Sequence, residues 1–298
     1  MQWKGRRGSD NVEDRRASTG GQVGSSVSGG IGVNLIMMIA SRFGFKGIII
    51  AVIGVVILWR LGIVDPSQLL QEGGATSSSS VPMVETAEEK ELYEFVRVVL
   101  AGTEELWTEE FARVGREYEP PTLVVYRGVV RTACGGGSAA MGPFYCPGDR
   151  KVYIDLGFYD ELAQTFQAPG DFAQAYVIAH EVGHHVQNLL GTSDKVNAMR
   201  GRPDYNQYSV RLELQADYYA GVWANHSRDY LEKGDIEEAM RAANAIGDDA
   251  IQKKSQGRVV PHAFTHGTSD QRMRWFKKGL QSGSIEGGDT FSGDYESL

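Results

Sequence analysis

The sequence predicts an α+β fold in which a small sheet lies beside one central helix, a mostly helical C-terminal half follows, and one transmembrane helix precedes the body. Three observations support this prediction. Short runs rich in β-branched and aromatic residues lie between residues 123 and 155, apolar stripes with helical spacing follow from residue 171, and a long apolar run begins at residue 47. A chain of 298 residues can hold one sizeable domain or two small ones.

The chain begins with a basic segment. Residues 1–46 contain seven Lys or Arg and three acidic residues, a net charge of +4, so the chain total of −8 leaves −12 for the rest. Gly and Ser are frequent in the middle of this segment, which predicts a largely disordered stretch. The acidic character of the body argues against nucleic acid as its partner.

Residues 47–64 form the predicted transmembrane helix. These 18 residues are apolar except for Arg60, a length at the short end for a span, and an arginine near the end of a span can reach the interface. Arg42 and Lys46 precede the run and Asp65 follows it, so the positive-inside rule places the N-terminus in the cytoplasm. The body would then be periplasmic or extracellular. A cleaved signal peptide and a buried core helix are the alternatives.

The folded domain is expected over residues 83–283. Residues 65–82 predict a linker, and residues 284–298, acidic and rich in Gly and Ser, predict a disordered tail. Within the domain the pattern predicts strands over 123–131, 144–145 and 151–155, and helices over 86–117, 171–190, 205–230, 236–256 and 268–280. The last of these helices starts with Thr268, three residues before Gln271, a capping-box arrangement.

The helix expected over residues 171–190 contains the motif His180-Glu181-Val-Gly-His184. Because the two histidines are four residues apart, their rings project from one helix face, where they can bind one zinc ion. Glu181 is near enough to act on a water bound to that ion, a combination typical of a metalloprotease. An apolar stripe occupies the opposite face, so we expect the histidines to face a cleft. Alternatively, the histidines are ordinary polar surface residues.

A catalytic zinc ion needs a third protein ligand and one open position. Glu213 and Asp217 lie four residues apart on a later predicted helix, and therefore face the same way. Glu213 would bind the metal, and Asp217 would accept a hydrogen bond from a zinc-bound histidine and fix its tautomer. The alternative is a solvated acidic helix face.

Longer stretches of the chain carry a family resemblance. They are Trp3–Arg16, Met141–Pro147, His180–Gln187, Glu213–Asp217 and Thr265–Ser269. Together they resemble the bacterial "putative neutral zinc metallopeptidase" family, and the pairing of His-Glu-x-x-His with Glu-x-x-x-Asp resembles the gluzincin class. The resemblance implies a membrane-anchored zinc peptidase with a gluzincin-like body, which acts on a protein or peptide substrate as an endopeptidase. It implies no particular substrate and no oligomeric state.

The expected chemistry is hydrolysis of a peptide bond by a zinc-activated water. Glu181 would take the proton from that water and pass it to the leaving amine. A donor must also stabilise the oxyanion, and His266 is the first candidate. His262, Tyr218 and Tyr219 are the others. The alternative from a different class is a non-catalytic, membrane-tethered binding protein with a structural zinc site, which would need a fourth protein ligand.

Two further expectations concern the region from residue 134 to 155. Cys134 and Cys146 should form a disulfide if the body is extracytoplasmic, whereas both would be reduced in a cytosolic protein. In zinc peptidases of similar plan an edge strand pairs with the substrate backbone. We expect that edge in this region, since strand addition gives affinity without side-chain specificity.

Overall fold

The structure is a computed structural model that describes residues 1–17 and 85–298. The transmembrane helix predicted for residues 47–64 and the linker predicted for residues 65–82 lie outside these ranges. Among the residues that are described, every helix is too short or too polar to cross a membrane.

Two sheets are present in the described residues. Their strands are β1 (Val12–Asp14), β2 (Thr122–Tyr126), β3 (Val129–Thr132), β4 (Gly135–Ser138), β5 (Phe144–Cys146) and β6 (Lys151–Asp155). The larger sheet has the order β1-β2-β6-β5, with β5 antiparallel at one edge and the other neighbours parallel. The strands β3 and β4 form a separate hairpin. The predicted strands are confirmed, although the run over 123–131 is divided between β2 and β3.

Most of the remaining described chain is helical. The helices are α1 (Ala87–Arg113), α2 (Phe158–Gln164), α3 (Asp171–Leu189), α4 (Thr192–Asn197), α5 (Tyr205–His226), α6 (Asp235–Ala245), α7 (Asp248–Gln256) and α8 (Ser269–Ser282). The capping box at Thr268 is confirmed. The single helix expected over 236–256 is wrong, because the chain breaks between α6 and α7 at Gly247. A side chain there would come within 2.5 Å of the Ser269 backbone nitrogen at the start of α8.

Helix α3 lies at the centre of the domain. Its expected apolar stripe is buried, but so are His180 and Glu181, so the helix is covered on nearly all sides rather than on one face. It crosses α5 closely at Gly183, where a Cβ atom would lie 3.1 Å from the Ala216 Cα. This close approach brings the histidines of α3 beside the acidic residues of α5.

The expectation of disorder is wrong for residues 1–17. Strand β1 pairs in parallel with β2, the Trp3 ring contacts Phe95 with centroids 5.4 Å apart, and Ser9 donates a hydrogen bond to Glu104. Arg16 is buried beside Asp14, with its guanidinium over an aromatic ring of α1. Because β1 and β2 share one sheet, residues 1–17 belong to the folded body.

The expectation of a disordered tail over residues 284–298 is also wrong. Thr290 is fully buried, and its hydroxyl donates to the Arg211 carbonyl on α5. Arg211 in turn donates to the Gly293 carbonyl at 2.9 Å, and Leu298 is 5% exposed. The folded body therefore includes both chain ends in addition to the expected domain.

Candidate active site

Helices α3 and α5 bring the three expected metal ligands together. His180 Nε2 lies 3.2 Å from one carboxylate oxygen of Glu213, and His184 Nε2 lies 3.5 Å from the other. The ligand atoms of the three residues all lie within 4.8 Å of one another. Neighbouring ligand atoms around a tetrahedral zinc with bonds of about 2.0–2.1 Å are about 3.3 Å apart. Two imidazole nitrogens and one carboxylate therefore fit zinc in kind, and both nitrogen–oxygen distances lie close to this value.

Asp217 holds His180, as expected from the sequence. His180 Nδ1 lies 2.9 Å from Asp217, which is fully buried. The carboxylate also accepts hydrogen bonds from Arg272 Nε at 2.8 Å and from the Tyr176 hydroxyl at 2.5 Å. Sequence reasoning missed Arg272 and Tyr176, because a buried arginine on an amphipathic helix has the same local pattern as an exposed one.

The charges around His180 compensate each other. Burial raises the pKa of Asp217, but Arg272 and His180 outweigh it and lower that pKa to about 2. Burial lowers the pKa of His180, whereas Asp217 and hydrogen bonding to Glu213 raise it to about 9. Burial likewise raises the pKa of Glu213, but His184 and His180 hold it well below its usual value. Asp217 and Glu213 are therefore both ionised at neutral pH.

Glu181 lies in the same cleft as the three ligands. Its side chain is buried, and burial raises the pKa of its carboxyl against the opposing effect of His184 and His180. A carboxylate with a raised pKa is closer to the value that suits a general base near neutral pH. The position and the environment of Glu181 both agree with the predicted role.

The cleft has a volume of about 460 Å³. Its polar lining includes the three ligands, Glu181, Arg272, Tyr176, Glu161 and His266. Its apolar lining includes Phe158, Phe166, Val177, Ile246 and Ile251, and residues 140–145 also line it. Residues 140–145 include the beginning of β5. The edge strand therefore borders the cleft in the region expected from the sequence.

Strand β5 is fastened to its surroundings at two points. Cys146, at its end, forms the expected disulfide with Cys134 beside the β3–β4 hairpin, with Cα atoms 5.8 Å apart. His185 Nδ1 lies 3.0 Å from the Tyr145 hydroxyl, and its Nε2 lies 2.7 Å from the Glu119 carbonyl. Since a carbonyl only accepts, His185 donates from Nε2 and accepts from Tyr145. Burial lowers the pKa of His185 to about 4, so this histidine is neutral and ties α3 to the edge strand.

His266, the first oxyanion candidate from the sequence, lines the cleft. Its Nδ1 lies 3.3 Å from Asp248. The Asp248 carboxylate also accepts the backbone N–H groups of residues 265, 266 and 267 at 2.6–3.0 Å, which fixes the loop. The bond to Asp248 raises the pKa of His266 against the effect of burial, and Glu213 adds to the rise. Sequence reasoning missed Asp248, whose only local signal is its place at a helix start.

The other candidates lie elsewhere. The Tyr218 hydroxyl donates to the Ser284 carbonyl, and Tyr219 packs edge-on against Trp107 and lines a second cavity on the other side of α5. His262 is exposed in a short 3₁₀ turn and does not line the cleft. Of the oxyanion candidates, the structure brings only His266 to the metal ligands within the described residues.

The site combines a His-Glu-x-x-His helix with a glutamate from a second helix, a set of residues that can bind zinc. The chain belongs to the family described as "putative neutral zinc metallopeptidase", which matches residues 1–291. The match includes the N-terminal strand and most of the C-terminal segment. Zinc is therefore the metal that the family implies.

Relatives extend over much or nearly all of the chain. The "uncharacterized protein YpfJ" of Escherichia coli K12 is 48% identical over 296 residues, which cover 98% of this chain and 99% of that protein. The "uncharacterized protein Rv2575" of Mycobacterium tuberculosis is 44% identical over 188 residues, 59% of this chain and 64% of that protein. No solved structure matches.

Proposed function

We propose that this protein is a zinc-dependent peptidase that hydrolyses peptide bonds with Glu181 as general base. The observation that carries the proposal is the convergence of His180, His184 and Glu213 beside Glu181 in an open cleft. In the described part of the chain this cluster holds three ligand residues, whereas a closed structural zinc site takes four. Three ligands leave one coordination position open for water, which favours a catalytic site over the structural site of a binding protein.

The residues of the cleft have distinct roles in the proposed reaction. Zinc, when bound by the three ligands, would supply an activated water and polarise the substrate carbonyl. Glu181 takes the proton of the attacking water and delivers it to the leaving amine. His266, held by Asp248, donates a hydrogen bond to the developing oxyanion. Asp217 keeps the proton of His180 on Nδ1, so that Nε2 faces Glu213 and the metal position.

The substrate is proposed to be an extended peptide paired with the free edge of β5. Residues 140–145 line the cleft, and the last two of them belong to β5, whose three residues span about 10 Å at about 3.3 Å each. Endopeptidase action is proposed because residues 140–143 continue the lining of the cleft beyond the strand and would contact the peptide further from the scissile bond. The apolar lining residues, which include Phe158 and Val177, would accept a bulky apolar side chain.

We place the folded body outside the cytoplasm, with residues 47–64 as a membrane attachment that is not a single crossing of the bilayer, because a single crossing would separate β1 from β2. The Cys134–Cys146 disulfide supports this location, because such bonds persist in oxidising compartments. Since β1 belongs to the body, residues 1–17 would lie on the same side. Reporter fusions at the two chain ends test the proposal: both should report an extracytoplasmic position, and a cytoplasmic signal from either end contradicts it.

The test of the function compares the purified full chain with Glu181→Gln. We expect about one zinc per chain in both proteins, and hydrolysis of an unstructured protein such as casein by the wild type only. Loss of the general base should lower turnover by about 10²–10⁴-fold. Hydrolysis that survives in Glu181→Gln contradicts the assigned role, and a wild type that binds zinc but hydrolyses no substrate favours the binding protein. In the same assay His266→Gln should lower turnover by about 10²–10³-fold while zinc is retained.

A further inference from the structure

The two histidine ligands differ in the hydrogen-bond partner of Nδ1, the ring nitrogen that faces away from the metal position. His180 is held by the Asp217 carboxylate, whereas His184 Nδ1 lies 2.9 Å from the side-chain oxygen of Gln187. Gln187 is three residues further along α3 and is fully buried. The partner of Nδ1 is therefore a neutral amide for His184 and a carboxylate for His180.

The orientation of the Gln187 amide is determined by a backbone carbonyl. Its Nε2 lies 2.6 Å from the Leu212 carbonyl oxygen, which can only accept. The amide oxygen must then face His184, and since it too can only accept, the proton of a neutral His184 must be on Nδ1. The lone pair of Nε2 is left pointing towards Glu213, 3.5 Å away, where a metal ion would be bound.

The hydrogen-bond chain continues to the C-terminal segment. The second N–H of Gln187 donates to the side-chain oxygen of Gln215 at 3.2 Å, and Gln215 Nε2 donates to the Gly288 carbonyl at 2.7 Å. Gln215 is 7% exposed, and the Gly288 carbonyl fixes its orientation as Leu212 fixes that of Gln187. The chain of contacts from His184 thus ends in residues 284–298, which were expected to be disordered.

We propose that Gln187 is a positioning residue for His184, and that Gln215 and Gly288 of the C-terminal segment support it. This inference rests on the proposed zinc binding at His180, His184 and Glu213. The C-terminal segment then contributes to zinc affinity through Gln215 and Gln187, without contacting the metal ligands itself. Outer partners of zinc-bound histidines change metal affinity by about 10–100-fold when they are removed.

The experiment measures the zinc dissociation constant of the full chain by competition with a chromogenic chelator. Gln187→Met keeps the side-chain length and removes the hydrogen bonds, and should weaken zinc binding by about 10–100-fold. Gln215→Met removes only the more distant link, and should weaken it by a smaller factor, since Leu212 still orients Gln187. The matched control is Asn225→Leu, which removes an amide that donates from α5 to the Leu280 carbonyl outside this chain of contacts. It should bind zinc as the wild type does.

A second measurement separates positioning from general loss of stability. Thermal unfolding is followed for the metal-free and the zinc-loaded form of each variant, and the stabilisation by zinc should shrink for Gln187→Met but not for Asn225→Leu. Gln187→Glu keeps an acceptor for His184, so it should bind zinc more tightly than Gln187→Met. Wild-type affinity in Gln187→Met, or an equal loss in the Asn225 control, overturns the inference and leaves the peptidase proposal intact. A wild type that binds no zinc overturns both.

Discussion

The two histidine ligands of the candidate metal site are oriented by different kinds of hydrogen-bond partner, charged groups for His180 and neutral amides for His184. On the His180 side, Asp217 and Arg272 are buried charges that neutralise each other. On the His184 side, two glutamines form a neutral chain between backbone carbonyls. Removing one member of the neutral chain leaves neutral buried groups without a partner, at a cost of about 1–3 kcal/mol for each group. A buried ion pair that loses one partner leaves an uncompensated charge, so the His180 side is coupled to the stability of the whole domain.

The largest expected effect is therefore on the charged side. Arg272→Met leaves Asp217 buried without its cation, and should lower the free energy of unfolding by about 3–5 kcal/mol. Urea unfolding of the full chain measures the loss. The matched control is Arg274→Met, an exposed arginine on the same helix, for which we expect a loss below about 1 kcal/mol. Equal losses in the two variants would show that the charged side has no special coupling to the fold.

A smaller effect is expected where the two sides meet. Gly183 lies between His180 and His184 at the crossing of α3 and α5, and a Cβ atom there would be 3.1 Å from the Ala216 carbonyl oxygen. Gly183→Ala should therefore push the helices apart, cost about 1–3 kcal/mol as overpacking, and weaken zinc binding. In an open helix the same change would be stabilising by up to about 1 kcal/mol. Unfolding and zinc titration measure the two effects, and a more stable variant with unchanged zinc affinity would contradict the crossing argument.

The smallest effect is expected for a charge that is partly exposed. It tests whether the stability of the domain depends on the charges beside His180 because those charges are buried. Glu13 on β1 is a partly exposed carboxylate, and Arg15, with Lys151, lowers its pKa to about 2. Because the folded-state pKa is lowered, this contribution is present above the ordinary pKa of 4.5 and is lost as the pH falls towards 2. Glu13→Gln should thus cost less than about 1 kcal/mol at pH 7.

The control for this prediction is to measure the unfolding free energy of both proteins at a series of pH values. The difference in unfolding free energy between wild type and Glu13→Gln should narrow below pH 4.5 and vanish near pH 2. A difference that stays constant over the series would show that Glu13 acts through packing rather than through its charge.

The sequence predicted the parts of the site that depend on local periodicity. The spacing of His180 and His184 on α3, and of Glu213 and Asp217 on α5, follows from the helical repeat alone. Arg272 could not be predicted, because its contact with Asp217 depends on how α8 packs against α5, and 55 residues separate the two. The same reason applies to Gln215, whose partners are set by the crossing of α3 and α5 and by the path of the C-terminal segment.

The two chain ends were mispredicted for a different physical reason. Strand β1 has three residues, too few for an alternating pattern, and it pairs with a strand more than 100 residues away. The C-terminal segment is rich in Gly and Ser, which in isolation predicts disorder. It is ordered because α5 supplies donors such as Arg211 and Gln215 to its carbonyls. In both places a tertiary contact overrides the composition.

The double attachment of β5 has a thermodynamic consequence for a peptide that pairs with it. The disulfide at Cys146 and the hydrogen bond between Tyr145 and His185 hold the strand in place before any ligand arrives. Ordering entropy would then be lost mainly by the incoming peptide and little by the protein, which favours binding by preorganisation. A peptide that is already extended or conformationally restricted should therefore bind more tightly than a flexible one of the same sequence.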